Sequence, residues 1–365
     1  MSTTIHLPEL EKRVKLKLIS KRKHPTEDLY IYNYTDECTY KQNNWDYYTR
    51  IARGLILDAQ GCIVARPFKK FFNLNECLET LENTLPDEIP EVSEKLDGSL
   101  GILYPINGRY DIATRGRFDS WQAQWATEFL HKEHPDIYER LSPDITYLVE
   151  IIYPDNRIVV DYQGAESLVL IGMVDNDSGY EFPYLKVSDR AEELGFSRVP
   201  TYNYLLEDCM KFLSEKRGTE FEGFVLYYPS KGLRLKIVGD NYRSVFRILV
   251  RTSQKEIWRR MSMGESLPDL DSLPVNAAKL ISNSVNNFQI EFRNKKLEMM
   301  DLFKSCSKFS SRKKQAEYFK SITNEPWKLY CLFMLLDNRP IDNIIWKQLE
   351  PSGLQKNNII LEEEV

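Results

Sequence analysis

No apolar run in this 365-residue sequence approaches the roughly 20 residues that a helix needs to cross a bilayer. Cysteine is sparse and unpatterned: Cys38, Cys62, Cys77, Cys209, Cys306 and Cys331 include no Cys-x-x-Cys and no small-scaffold spacing. Histidine is scarcer still, with four residues and one close pair, His131 and His134. These absences exclude a recognisable zinc site and a disulfide framework, and they predict a reducing compartment. The first residues are polar and charged, unlike the apolar core of a secretion signal. A soluble, intracellular (cytoplasmic) protein is expected.

The rest of the composition is that of an ordinary globular chain. Its 12 % aromatic content argues against extensive disorder, and its length suffices for two domains. The net charge of −5 is unevenly spread. Arg243 to Asp337 carries 17 Lys and Arg against 10 Asp and Glu, a local balance of +7 that leaves −12 on the remainder. A basic segment on an acidic body suits a phosphate-rich partner, and it equally suits solvated helix faces.

Up to about residue 245 the apolar runs are short and separated by turn signals. Strands are predicted at Ile51–Leu57, Ser99–Tyr104, Tyr110–Thr114, Tyr147–Ile152, Ser167–Val174, Gly223–Tyr228 and Leu233–Val238, with Asn107-Gly108 as a type I′ hairpin turn. Helices are predicted at Trp121–His131 and Asp189–Leu194. The fold class is α+β with antiparallel sheets. Beyond residue 245, Val285, Phe288, Phe292, Met299, Leu302 and Phe303 recur at helical spacing. A separate all-helical C-terminal domain is expected there, interrupted by a loop at Gly264–Pro268 and Ser272–Pro274 and ending in an acidic tail at Glu362-Glu363-Glu364. The expected boundaries are 1–245 and 246–365.

Charge inside apolar strands is the feature that points to chemistry. Glu150 lies in Tyr-Leu-Val-Glu-Ile-Ile, Glu222 opens Glu-Gly-Phe-Val-Leu, and Lys236 sits in Leu-Arg-Leu-Lys-Ile-Val. An unpaired charge in such a strand costs several kcal/mol once desolvated. Such side chains therefore either face solvent or converge on a polar pocket. With Lys95 of Lys95-Leu96-Asp97-Gly98 they make two lysines and two carboxylates, a set suited to phosphates and metal ions. Gly98 permits close backbone approach, and Asp97 could hold a ribose hydroxyl or orient the lysine. Arg53, Lys70 and Arg115 add cations at the ends of neighbouring apolar runs.

In this order the residues resemble the motifs of the covalent nucleotidyltransferases, the superfamily of polynucleotide ligases and capping enzymes. Lys95-Leu96-Asp97-Gly98 resembles motif I, and Thr114-Arg115-Gly116 resembles the basic motif that follows it. Leu148-Val149-Glu150-Ile151 resembles motif III, Phe221-Glu222-Gly223-Phe224-Val225 motif IV, and Leu235-Lys236-Ile237 motif V. Three further segments, Arg53-Gly54-Leu55-Ile56, Lys69 to Glu76, and Pro154 to Val159, are similar to the T-even phage RNA ligase 1 type. The similarity is specific over residues 50–245 and loose around Ser311-Arg312-Lys313-Lys314. The chain departs from the family in motif V, where Val238 stands at the second lysine of Lys-x-Lys and Arg234 is a candidate replacement cation.

The resemblance implies an ATP-dependent RNA ligase that joins 5′-phosphate and 3′-hydroxyl ends through lysyl-adenylate and RNA-adenylate intermediates. It implies Lys95 as nucleophile, Lys236 as the cation on the α-phosphate, and Glu150 and Glu222 as holders of Mg²⁺ or Mn²⁺. It places ATP against Arg53, Lys70, Phe72, Asp97, Gly98 and Arg115 as well, with Phe72 walling the adenine. A free lysine, with a pKa near 10.4, is protonated, so cations beside Lys95 are expected to favour its neutral amine. Arg259, Arg260, Arg312, Lys313 and Lys314 become candidate RNA contacts, alongside their reading as exposed helix faces. Repair of cleaved tRNA, with a separate end-healing kinase or phosphatase, is a family expectation. A DNA ligase, a capping guanylyltransferase and a non-catalytic RNA-end-binding protein are the alternatives.

Overall fold

The computed structural model describes residues 4–40, 44–251, 253–268, 270, 273 and 275–351. The acidic tail and the second expected loop segment, apart from Leu273, lie outside them. The chain divides into two compact units that meet between Val245 and Phe246.

The first unit is built on three sheets. One has the order β1 (Ile19–Lys23), β2 (Leu29–Tyr34), β3 (Arg53–Asp58) and β4 (Ile63–Ala65), all antiparallel. The other ten strands, in chain order, are β5 (Phe72–Asn73), β6 (Glu91–Lys95), β7 (Ser99–Ile106), β8 (Arg109–Ala113), β9 (Ile145–Ile152), β10 (Ser167–Asp175), β11 (Ser197–Arg198), β12 (Thr201–Tyr202), β13 (Gly223–Tyr228) and β14 (Leu233–Val238). They form a second sheet ordered β11-β10-β9-β7-β8 and a third ordered β12-β6-β13-β14-β5. Pairing is antiparallel throughout these two sheets except at the short edge strands β11 and β5.

Burial explains the middle sheet. Its central strand β9 is apolar at nearly every position and has both faces covered, which removes the polar–apolar alternation of a half-exposed strand. On one face, helices Trp121–Glu133 and Tyr184–Leu194 contribute Ala126, Leu130, Val187 and Ala191 to a core with Val149 and Ile151. On the other, Ile31, Ile56 and Phe68 pack on Leu100, Ile102 and Leu148. The third sheet packs its outer face on helix Leu206–Glu215 through Leu213, Phe224 and Leu235. Leu96, Ile152, Val169 and Tyr227 join the second and third sheets. The space left between these two sheets is the site described below.

Of the expected strands, Gly223–Tyr228 and Leu233–Val238 match residue for residue. Asn107 and Gly108 both have positive φ, 48° and 75°, as a type I′ turn requires. Ile51, expected in a strand, ends helix Tyr47–Ile51, which an Asp46–Thr49 capping box starts. Helix Tyr184–Leu194 begins five residues earlier than expected, directly after Pro183. Strand β6 was not foreseen, because Glu-Val-Ser-Glu-Lys reads as a charged surface segment.

The second unit is helical: Gln254–Met263, Val275–Lys304, Arg312–Ile322, Pro326–Leu336 and Asp342–Gln348. Its core gathers Met299, Phe319, Cys331, Leu332 and Ile345, with Phe288, Phe292, Leu302 and Phe303 packed against them. Gly264, at φ 68°, closes the first of these helices and opens the expected loop. Among the described residues no helix is long and apolar enough to cross a membrane.

Candidate active site

Strand register brings the charged residues together. Lys95 ends β6 directly opposite Gly223 of β13, which in turn faces Val238 of β14. The next rung on the same face is Ser93, Val225 and Lys236, and the one after it is Glu91, Tyr227 and Arg234. Glu222, just before β13, reaches back so that its Oε1 lies 2.6 Å from Lys95 Nζ. From the second sheet, Glu150 of β9 accepts a hydrogen bond from the Gly98 amide at 3.1 Å. Lys95, Gly98, Glu150, Lys236, Arg53 and Arg115 all line one cleft, an empty space of about 900 Å³ including its mouth.

The electrostatics differ from the sequence-based expectation in one respect. Burial alone would lower the Lys95 pKa, but Glu222, Glu150 and Asp97 outweigh it and hold the ammonium protonated above the ordinary lysine range. The lysine pulled down is Lys236, by burial and then by Lys95, Lys70 and Arg53, with Glu222 opposing. The carboxylates of Glu222 and Glu150 dominate the charge around Lys95, which is why the expected depression falls on its neighbour. Burial raises Glu222 above the usual carboxylate range against the pull of Lys95. In the free protein the pair is therefore best described as a shielded ion pair.

Glu222 Oε2 is buried and has no hydrogen-bond partner among the described residues. An orphaned carboxylate oxygen of this kind is a ready acceptor for a metal-bound water or a metal ion. With Glu150 across the cleft, the donor set is hard oxygen, which fits Mg²⁺ or Mn²⁺. No group of three or more His, Cys, Asp or Glu placed to hold a metal ion is found among the described residues. A site with two carboxylates suits an ion that keeps most of its water.

At the cationic end, Tyr34 is the hub. Arg115 Nη1 donates to its hydroxyl at 3.0 Å, and Lys70 Nζ lies over the rings of Tyr34, Trp45 and Phe72. Burial would raise the Tyr34 phenol, but Arg115, Lys70 and Arg53 outweigh it and hold it below the ordinary tyrosine range. Sequence patterning gave no reason to single out Tyr34.

Of the two roles expected of Asp97, the hydrogen bonds favour orienting the lysine over holding a ribose. Asp97 accepts from the Val159 and Val160 amides through Oδ2 at 2.7 and 2.6 Å, and from the Tyr242 hydroxyl through Oδ1 at 2.5 Å. It is a buried clamp on the chain around Lys95, and Tyr162, whose hydroxyl accepts from the Asp97 amide, completes it. Gly98 makes room for protein as much as for ligand, since a Cβ there would meet the Ile151 carbonyl at 2.6 Å. Phe72 does not line the cleft; its ring stands edge-on to Trp45, and Phe71 and Phe68 form the wall instead.

Arg234 is likewise not a stand-in for a lysine at Val238. Val238 shares the rung of Lys95, whereas Arg234 is two rungs away and bound to Glu181 and Tyr184. In the helical unit, Arg259 pairs with Glu256 and Glu265, Arg260 with Glu256, and Arg312 with Asp337. Lys313 and Lys314, at the start of helix Arg312–Ile322, are exposed.

Comparison with known proteins bears on this site. A family model described as RNA ligase matches residues 51–247, just over half of the chain. A Thermovibrio ammonificans protein assigned as an RNA ligase is 29 % identical over 184 residues, 48 % of this chain and 46 % of that protein. A Rhodothermus phage RNA ligase is 29 % identical over 195 residues, 42 % of this chain and 43 % of that one. A protein of Autographa californica nuclear polyhedrosis virus, assigned as a bifunctional polynucleotide kinase/RNA ligase, is 26 % identical over 219 residues, 53 % of this chain and 30 % of that protein. The matched region thus spans less than half the length of each relative.

Proposed function

This chain belongs to the RNA ligase family, and from that premise we propose that it is an ATP-dependent ligase of RNA ends. The observation that carries the reading is Lys95, half-buried beside Glu222 and Glu150 in a cleft that Lys236, Arg53 and Arg115 also line.

Lys95 Nζ attacks the α-phosphorus of ATP, forming an N–P bond as pyrophosphate leaves. The adenylyl group then passes to the 5′-phosphate of an RNA end, and a 3′-hydroxyl displaces AMP to seal the strand. Lys236 stabilises charge gathering on the α-phosphate, and Arg53, Lys70 and Arg115 receive the departing pyrophosphate. Phe71 and Phe68 supply the apolar wall for the base. Glu150 and Glu222 would hold Mg²⁺ or Mn²⁺, which supplies Lewis-acid stabilisation of phosphate charge. The lysine must shed its proton before attack, and neutralising the two carboxylates is the change that permits it.

The first unit is the adenylyltransferase in this reading. The helical unit contributes RNA contacts, with Lys313 and Lys314 better placed than the three paired arginines, and such contacts give affinity and position rather than sequence. The six free cysteines support an intracellular setting. Repair of cleaved RNA, tRNA among the possible substrates, and a separate kinase that prepares the ends are the wider reading; the bifunctional viral relative supports the latter. The test is joining of a 5′-phosphorylated RNA strand to a 3′-hydroxyl strand with ATP and Mg²⁺. Sealed product from the wild type and none from Lys95→Ala is expected. Sealing by Lys95→Ala, or sealing without ATP, would contradict the assignment.

A further inference from the structure

We propose that Arg234 and Tyr184 read the edge of the nucleotide base, and that they select adenine over guanine through its N1 atom. The proposal rests on the ATP-dependent reading above.

The position follows from register. Arg234, Lys236 and Val238 share one face of β14, and Val238 shares the rung of Lys95. At about 3.3 Å per residue, Arg234 lies about 13 Å along β14 from Val238, the residue on the rung of the nucleophile, with Lys236 between the two. Phosphates belong at the Lys95 end, beside Lys236, Arg53 and Arg115. Phe68, Phe71, Ile171 and Val225 give the same cleft its apolar wall, and Arg234 and Tyr184 line it too. A nucleotide with its α-phosphorus at Lys95 extends its base into it.

Arg234 is built for recognition and not for phosphate. Its charge is already balanced by Glu181, whose Oε2 accepts from Nε at 3.0 Å and lies 2.8 Å from Nη2. Its Nη1 donates to the Tyr184 hydroxyl at 2.7 Å, and its guanidinium stacks 3.9 Å above the Phe68 ring centre. Gly172 leaves the room for that ring, since a Cβ there would meet Phe68 at 2.1 Å. Guanidinium carries five N–H donors in a fixed fork, so donors remain after these bonds. The Tyr184 hydroxyl accepts from Arg234, which directs its own hydrogen elsewhere. The pair therefore offers donors to the base. Adenine N1 is an acceptor, whereas guanine carries an N–H at the same ring position and would set donor against donor. A buried donor left facing a donor is the strong form of discrimination.

The experiment measures formation of the lysyl-adenylate with ATP, 1-deaza-ATP, 7-deaza-ATP and GTP. The wild type should use 7-deaza-ATP like ATP and show a KM about tenfold higher for 1-deaza-ATP, the loss of one hydrogen bond. Tyr184→Phe should raise the KM for ATP about tenfold with little change in kcat, and should add nothing to the defect with 1-deaza-ATP. The charge-neutral pair Arg234→Met with Glu181→Gln, which leaves no lone buried carboxylate, should narrow the preference for ATP over GTP. Equal loss with ATP and 1-deaza-ATP in Tyr184→Phe, no loss at all, or a defect confined to 7-deaza-ATP would overturn the proposal. A wild type that labels with no nucleotide would overturn the ligase reading beneath it.

Discussion

Lys95 and Lys236 flank the same strand, β13, yet their surroundings push their ammonium groups in opposite directions. Carboxylates hold Lys95 protonated, while burial and three cations make Lys236 ready to lose its proton. The sign of the pH dependence follows. The reactive amine of Lys95 grows about tenfold per pH unit below its raised pKa, so adenylylation accelerates with pH. Lys236 stabilises phosphate charge only while protonated, so the acceleration ends as it titrates below the ordinary lysine range. The profile of kcat/KM, which reports the free enzyme, should be bell-shaped. Lys236→Arg keeps its charge at all accessible pH, so its falling limb should move to higher pH; an unmoved limb would remove Lys236 from this role. Val238→Lys would place a cation on the rung of Lys95. It should raise the rate of adenylylation near neutral pH in single-turnover assays, and a marked loss would show that this rung does not face the phosphates.

The elements hold the nucleophile by fastening the chain on both sides of it. Asp97 clamps the Val159 and Val160 amides and takes the Tyr242 hydroxyl at the start of helix Asp240–Arg251. Tyr242→Phe removes one buried hydrogen bond to a carboxylate and should cost about 1.5–3 kcal/mol in urea unfolding. Gly98→Ala overpacks the Ile151 carbonyl and should cost about 1–3 kcal/mol, with slower adenylylation because the Gly98 amide also orients Glu150. Unchanged stability in both would mean that the clamp does not bear on the fold. Much of this scale was legible in the sequence. Alternation and turn residues marked β13, β14 and the Asn107-Gly108 hairpin, and Glu150 and Glu222 stood out as charges among apolar neighbours. Strand β6 was not legible, because a strand whose residues include Glu91, Glu94 and Lys95 has no apolar stripe to read. Nor were Tyr34 and Tyr184, since a tyrosine in an apolar stretch looks like core until its partners from distant strands are known.

At the scale of the whole chain, the 1–245 and 246–351 regions have separate cores, one of sheets and one of helices. The charge asymmetry of the sequence follows the same division, although Arg259, Arg260 and Arg312 spend their charge on neighbouring carboxylates. A fragment of residues 1–251 should fold cooperatively and still form the lysyl-adenylate, while losing salt-sensitive RNA affinity; a fragment unable to react with ATP would mean that the helical unit completes the site. The central claim is that Lys95 carries the adenylyl group. Its most direct test is incubation of the full chain with ATP and Mg²⁺, followed by mass spectrometry of the digested protein. An AMP adduct on the peptide at Lys95, removed by added pyrophosphate, is the predicted result. An adduct on any other lysine, or none with ATP under either metal, would contradict it.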